Sequence, residues 1–109
     1  MAAVKFDVVR SIVFSSIGVS YTAIGTPLTQ NWRIIKVTST LDFDVLVSLD
    51  AVNDNMFIPA GGFTLYDFST NEPSIAANDN MVIGKGTQFY VKTLGALTYG
   101  VLYIEGVYS

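Results

Sequence analysis

Turn-forming residues cut this 109-residue chain at short intervals, and between the cuts no stretch keeps a 3.6-residue apolar period. The breaks fall at Gly18, Gly25-Thr26-Pro27, Asn53-Asp54-Asn55, Pro59-Ala60-Gly61-Gly62, Asn71-Glu72-Pro73, Asn78-Asp79-Asn80, Gly84-Lys85-Gly86, Gly95 and Gly100. The residues between them are mainly Val, Ile, Thr, Tyr and Phe, types that suit a pleated, half-buried surface. Strands are expected near residues 4–14, 19–24, 32–39, 43–49, 55–58, 63–68, 81–83, 87–93 and 99–108. Together these predict one all-β domain over residues 1–109, an antiparallel, jelly-roll-like β-sandwich of about eight short strands.

Alternation assigns faces to some of these strands. Phe43, Val45, Val47 and Leu49 share one side, with Asp44, Leu46 and Ser48 on the other; Phe89 and Val91 oppose Gln88, Tyr90 and Lys92. Phe14, Phe43, Phe63 and Phe89 are therefore expected in the core. The last strand differs, because Tyr99, Val101, Tyr103 and Val107 fall on one side while Leu102, Ile104 and Tyr108 fall on the other. Both of its faces need cover, from another element of this chain or from a neighbouring subunit.

The composition favours a neighbour. Half of the residues are apolar and only 14% are charged, against about 25% in ordinary soluble domains. So small a domain has too much surface for its volume to hide that much apolar material. A homo-oligomer or a larger assembly is expected. The net charge is -3, and Lys5, Arg10, Arg33, Lys36, Lys85 and Lys92 do not cluster, which argues against a specific nucleic-acid face. The uncharged run from Ser11 to Trp32 is broken by Ser, Thr, Gly18, Gly25 and Pro27, so no membrane span is expected. The N-terminus lacks the basic-then-apolar order of a secretory signal.

Catalytic chemistry finds few of its usual parts. With no histidine and no cysteine there is no common general base, no thiol nucleophile and no usual zinc site. Asp42 and Asp44 lie two apart at the start of a strand, where a solvated strand entrance explains them better than a hydrolytic pair. Asp50-Ala51-Val52-Asn53-Asp54-Asn55 is rich in oxygen ligands but departs from the calcium-loop pattern; side chains capping a turn account for it. Gly84-Lys85-Gly86-Thr87 lacks the glycine spacing of a phosphate loop and is expected to be a turn. No enzyme, cofactor or metal is predicted. Asn53-Asp54-Asn55-Met56-Phe57-Ile58 recurs as Asn78-Asp79-Asn80-Met81-Val82-Ile83, which suggests two similar hairpins. The aromatic residues offer interface anchors, for which Trp32, Tyr99, Tyr103 and Tyr108 are the candidates. The alternative use of Trp32 and exposed tyrosines is a stacking platform for sugars, as in a carbohydrate-binding module.

Four segments, Tyr21-Thr22-Ala23-Ile24-Gly25-Thr26-Pro27-Leu28, Trp32-Arg33-Ile34-Ile35-Lys36-Val37, Phe57-Ile58-Pro59-Ala60-Gly61-Gly62-Phe63-Thr64-Leu65-Tyr66-Asp67 and Gly86-Thr87-Gln88-Phe89-Tyr90-Val91-Lys92, span most of the chain from Tyr21 to Lys92. Together they resemble small virion proteins of tailed bacteriophages. The resemblance implies a non-catalytic particle component assembled in the host cytoplasm. A capsid decoration or cement protein is the first expectation, and a head-to-tail adaptor or tail component the alternative. Its partners would be other virion proteins, either the major capsid protein or neck and tail proteins. No single functional residue carries over from the resemblance.

Overall fold

Antiparallel pairing in the computed structural model, which describes residues 5–67 and 83–108, follows one simple rule. The strands are β1 (Lys5–Phe6), β2 (Arg10–Val13), β3 (Thr22–Ile24), β4 (Ile34–Ser39), β5 (Val45–Ser48), β6 (Met56–Ile58), β7 (Phe63–Asp67), β8 (Phe89–Thr93) and β9 (Val101–Tyr108). Pairs β2·β9, β3·β8, β4·β7 and β5·β6 form one long hairpin whose tip is the turn between β5 and β6. Rolling that hairpin adds the pairs β4·β9 and β5·β8. The result is two antiparallel sheets, β1/β2-β9-β4-β7 and β3-β8-β5-β6, packed as a jelly-roll sandwich.

Alternation drives the packing. From the first sheet Ile12, Ile35, Val37, Leu102 and Ile104 point inward; from the second come Ile24, Val45, Val47, Met56, Ile58, Phe89 and Val91. Leu28, Trp32 and Leu41, from the connections on either side of β4, complete the core. Phe89 is buried as expected and Phe14 packs half-buried on the core. Phe43 and Phe63 correct the expectation. Phe43 precedes β5 in the connecting loop, and Phe63 enters β7 on the outward register, opposite Thr38.

Other boundaries also moved. The first expected strand, 4–14, is split: β1 pairs with the end of β9 and β2 with its beginning; Asp7 still donates its N–H to the Gly106 carbonyl at 3.0 Å, and the register shifts across Val8 and Val9. Pro59 to Gly62 does form a turn, with Gly62 N–H donating to the Pro59 carbonyl at 3.0 Å and Gly61 at φ +65°. Yet the flanking strands do not pair; the turn carries the chain from one sheet to the other. Of the repeated Asn-Asp-Asn motif, the first copy supplies the β5–β6 turn and β6. The second copy lies outside the described residues, apart from Ile83, which bridges to Trp32 through two backbone bonds of 2.9 Å.

The break between β1 and β2 is held by a buried polar cluster around Trp32. The indole is fully buried, tilts against Phe89 at 5.6 Å between ring centres, and lies flat over Gly106 of β9. Its Nε1–H donates to Asp7 Oδ2 at 2.8 Å. Arg10 lies over the indole at 5.3 Å, approaches Asp7 at 3.6 Å, and donates to the carbonyls of Thr26 at 2.9 Å and Val8 at 3.1 Å. Three connections thus meet at one tryptophan. Burial pushes the Asp7 carboxyl up, but the Trp32 and Val8 N–H groups and the Arg10 charge outweigh it and hold the group below the usual range.

Two outcomes follow from this cluster. A Cβ on Gly106 would stand 2.0 Å from Trp32 Cδ2, so Gly106→Ala should cost about 3 kcal/mol in urea unfolding. Gly18→Ala, with no atom within 4 Å of its new Cβ, should stay within about 0.5 kcal/mol. Because the folded-state pKa of Asp7 lies below the unfolded one of about 4, its contribution is fully present by about pH 6 and is lost as acid protonates the folded carboxylate. The stability gap between the wild type and Asp7→Asn should therefore narrow from about pH 6 to about pH 2.5.

Candidate functional site

The outward residues of the first sheet form a nearly continuous apolar face. Register sets its rungs: Phe6, Val107 and Ile34 on one; Glu105, Lys36 and Leu65 on the next; Ser11, Tyr103, Thr38 and Phe63 on the third; Val13 and Val101 on the last. Phe6 is 84% exposed, Phe63 63%, Leu65 56%, Val13 46% and Tyr103 37%. No described element lies over them. A shallow groove of about 180 Å³ runs between Phe6, Ile34, Leu65 and Val107. Isolated surface hydrophobes are ordinary; here several adjoin one another along the registered rungs of one sheet face.

Charge enters this face at its middle. Lys36 and Glu105 are directly opposed on the two central strands, β4 and β9. Among the described residues no ion pair within 4.0 Å joins them; the Lys36 ammonium instead stands 5.3 Å from the centre of the Phe63 ring. Leu65 and Val107 flank the two charged stems.

The outer face of the second sheet is built differently. Tyr21 donates its hydroxyl to Asp54, and Lys92 pairs with the same carboxylate at 3.3 Å while lying 4.7 Å from the Tyr21 ring centre. Desolvation first, then the Asp54 hydrogen bond and charge, push the Tyr21 hydroxyl up to about 12. Ser48 turns its hydroxyl to Asp50 at 2.8 Å. Tyr21, Asp54, Lys92 and Ser48 thus find partners within the chain, while Leu46 and the 54% exposed Phe57 are register partners on the same face.

Of the candidate ligating groups, Asp54 is taken up by Tyr21 and Lys92, while Asp42, Asp44 and Asp50 hold turns and loops. Asp50 accepts from the N–H of Asn53 at 2.8 Å and of Val52 at 2.9 Å, and from the Asn53 amide at 2.7 Å, which hold its carboxyl far below the usual range. Asp42 accepts the hydroxyl and N–H of Thr98, and that hydroxyl bond first, then the N–H, lowers its pKa. Asp44 accepts from Ala60 N–H at 2.9 Å. The two carboxylates therefore tie two different loops, and the Gly84–Thr87 segment closes as a turn through a 3.2 Å backbone bond. Among the described residues no group of three or more His, Cys, Asp or Glu side chains could hold a metal ion, and no helix is long and apolar enough to cross a membrane.

The four predicted interface aromatics separate. Tyr103 sits in the apolar face, and Tyr99 is 61% exposed on the β8–β9 loop at one end of the sandwich. Tyr108 packs half-buried against the core. Trp32 is a correction: it exposes nothing, since its ring fills the gap that Gly106 leaves, so it can form neither an interface anchor nor a sugar platform. Sequence reasoning missed Phe6, Val13, Phe63 and Leu65. The signal that could have found them is the two-faced β9, whose outward residues imply apolar neighbours on the strands beside it. Comparison with protein-family models, curated proteins and solved structures gave no match to this chain.

Proposed function

We propose that this protein is a non-catalytic structural subunit of a bacteriophage particle, a capsid decoration or cement protein that stabilises a shell through apolar contacts between subunits. The observation that carries this reading is the face formed by Phe6, Val13, Phe63, Leu65 and Tyr103. Apolar burial contributes about 25 cal/mol per Å² before association costs are subtracted, so a sheet face of this composition gains by being covered. The jelly roll adds a fitting scaffold. It recurs in capsid proteins but equally in lectins and cupins, so fold alone assigns no role. The resemblance over Tyr21–Lys92 supplies the particle setting.

The test is quantitative mass spectrometry of purified particles from cells carrying the gene, joined to one substitution. A decoration protein is expected in hundreds of copies per particle. A dozen or so copies would place it in a neck or tail ring, and its absence from particles would end the proposal. Leu65→Glu, at an exposed position, should change unfolding free energy by less than about 0.5 kcal/mol while reducing incorporation about 10-fold or more.

A further inference from the structure

We infer that the apolar face of the first sheet docks against the same face of a second copy of this chain, about a two-fold axis that runs parallel to β4 and β9 and between them. This deepens the particle reading, because it names the partner of the face on which that reading rests. The argument starts from the two charges. When two copies meet face to face, the two-fold axis relating them lies in the plane between them, so its direction decides which residues oppose each other. Lys36 and Glu105 are register partners on adjacent strands. An axis along the strands carries Lys36 over Glu105 of the partner subunit, and Glu105 over the partner's Lys36. The four side chains then alternate in sign around the axis. An axis laid along the Glu105–Lys36 rung instead puts each charge over its own kind, which is repulsive in a dry contact.

The surrounding rungs agree with the first choice. It lays Val107 over Ile34 of the partner subunit and Tyr103 over the partner's Thr38, so apolar or small neutral groups enclose the charges. Among the described residues Glu105 has no ion-pair partner within 4.0 Å, and the Lys36 ammonium leans on a ring instead. The second copy supplies what the single chain leaves unmet. Strands of the facing sheets would run within about 30° of each other, as aligned sandwiches do. A partner with a uniformly basic or acidic face would meet one charge of the pair and oppose the other. The neutral, alternating pattern fits its own copy.

The test is sedimentation velocity of the full chain over a dilution series, for the wild type, Lys36→Glu, Glu105→Lys and the double reversal. The wild type should show a concentration-dependent dimer. Each single reversal should raise the dissociation constant by about 10-fold or more, and the double should return it to within about 3-fold of wild type. Glu105→Gln, which keeps the side-chain size, reads the same weakening without placing like charges together. A dimer untouched by either single change, or not rescued by the double, overturns this pairing. A wild type that stays monomeric overturns it too. If such a monomer still enters particles in hundreds of copies, the shell reading survives on its own; if it does not enter them, both fall.

Discussion

The sandwich depends on one close approach, the Trp32 ring lying on the bare backbone of Gly106. Any side chain on that strand position would displace the indole. With the ring there, its N–H reaches Asp7, Asp7 in turn faces Arg10, and Arg10 reaches the Thr26 carbonyl in the β3–β4 connection. Asp7 follows the outward Phe6, keeps its N–H on the Gly106 carbonyl at 3.0 Å, and so turns inward by alternation to meet the tryptophan, while Val8 and Val9 stay outside. A buried arginine is costly unless its charge and donors are met, and here carbonyls, a carboxylate and an aromatic face meet them together.

The two outer faces then follow different rules. The second sheet pairs its exposed polar groups locally, as Tyr21, Asp54 and Lys92 show. The first sheet presents rings and aliphatic chains with one opposed pair of charges. An ordinary antiparallel sandwich keeps its outer faces polar and its inner ones apolar. The second sheet also keeps apolar groups outside, Leu46 beside the 54% exposed Phe57, so the two faces differ in how their charges are paired more than in whether they carry apolar groups.

Much of the architecture was legible in the residues. The inward set Val45, Val47, Phe89 and Val91 follows from period-two alternation, and the roles of Asp50 and of Gly84–Thr87 follow from turn chemistry. What sequence could not supply was register between distant strands. Phe63 and Phe89 are the same residue type at the head of similar strands, yet one faces out and the other in. The difference arises because Phe63 is paired with Thr38 and Phe89 with Ile24. Trp32 misled for a related reason: its size suggested a surface anchor, while the glycine that makes room for it lies more than seventy positions along the chain. The surface pair Lys36 and Glu105 is likewise invisible until β4 and β9 are set side by side.

The rolled hairpin also orders events during synthesis. Strand β9 is central in the first sheet, flanked by β4 on one side and by β1 and β2 on the other. Until the ribosome has released it, β1 and β2 have no strand neighbour, β4 has only β7, and Trp32 has no Gly106 to lie on. The growing chain must therefore wait with its apolar strands uncovered, and the sheet with the greasiest exterior is also the last to close. The interval before β9 arrives is the one in which those apolar strands are most open to pairing with other chains.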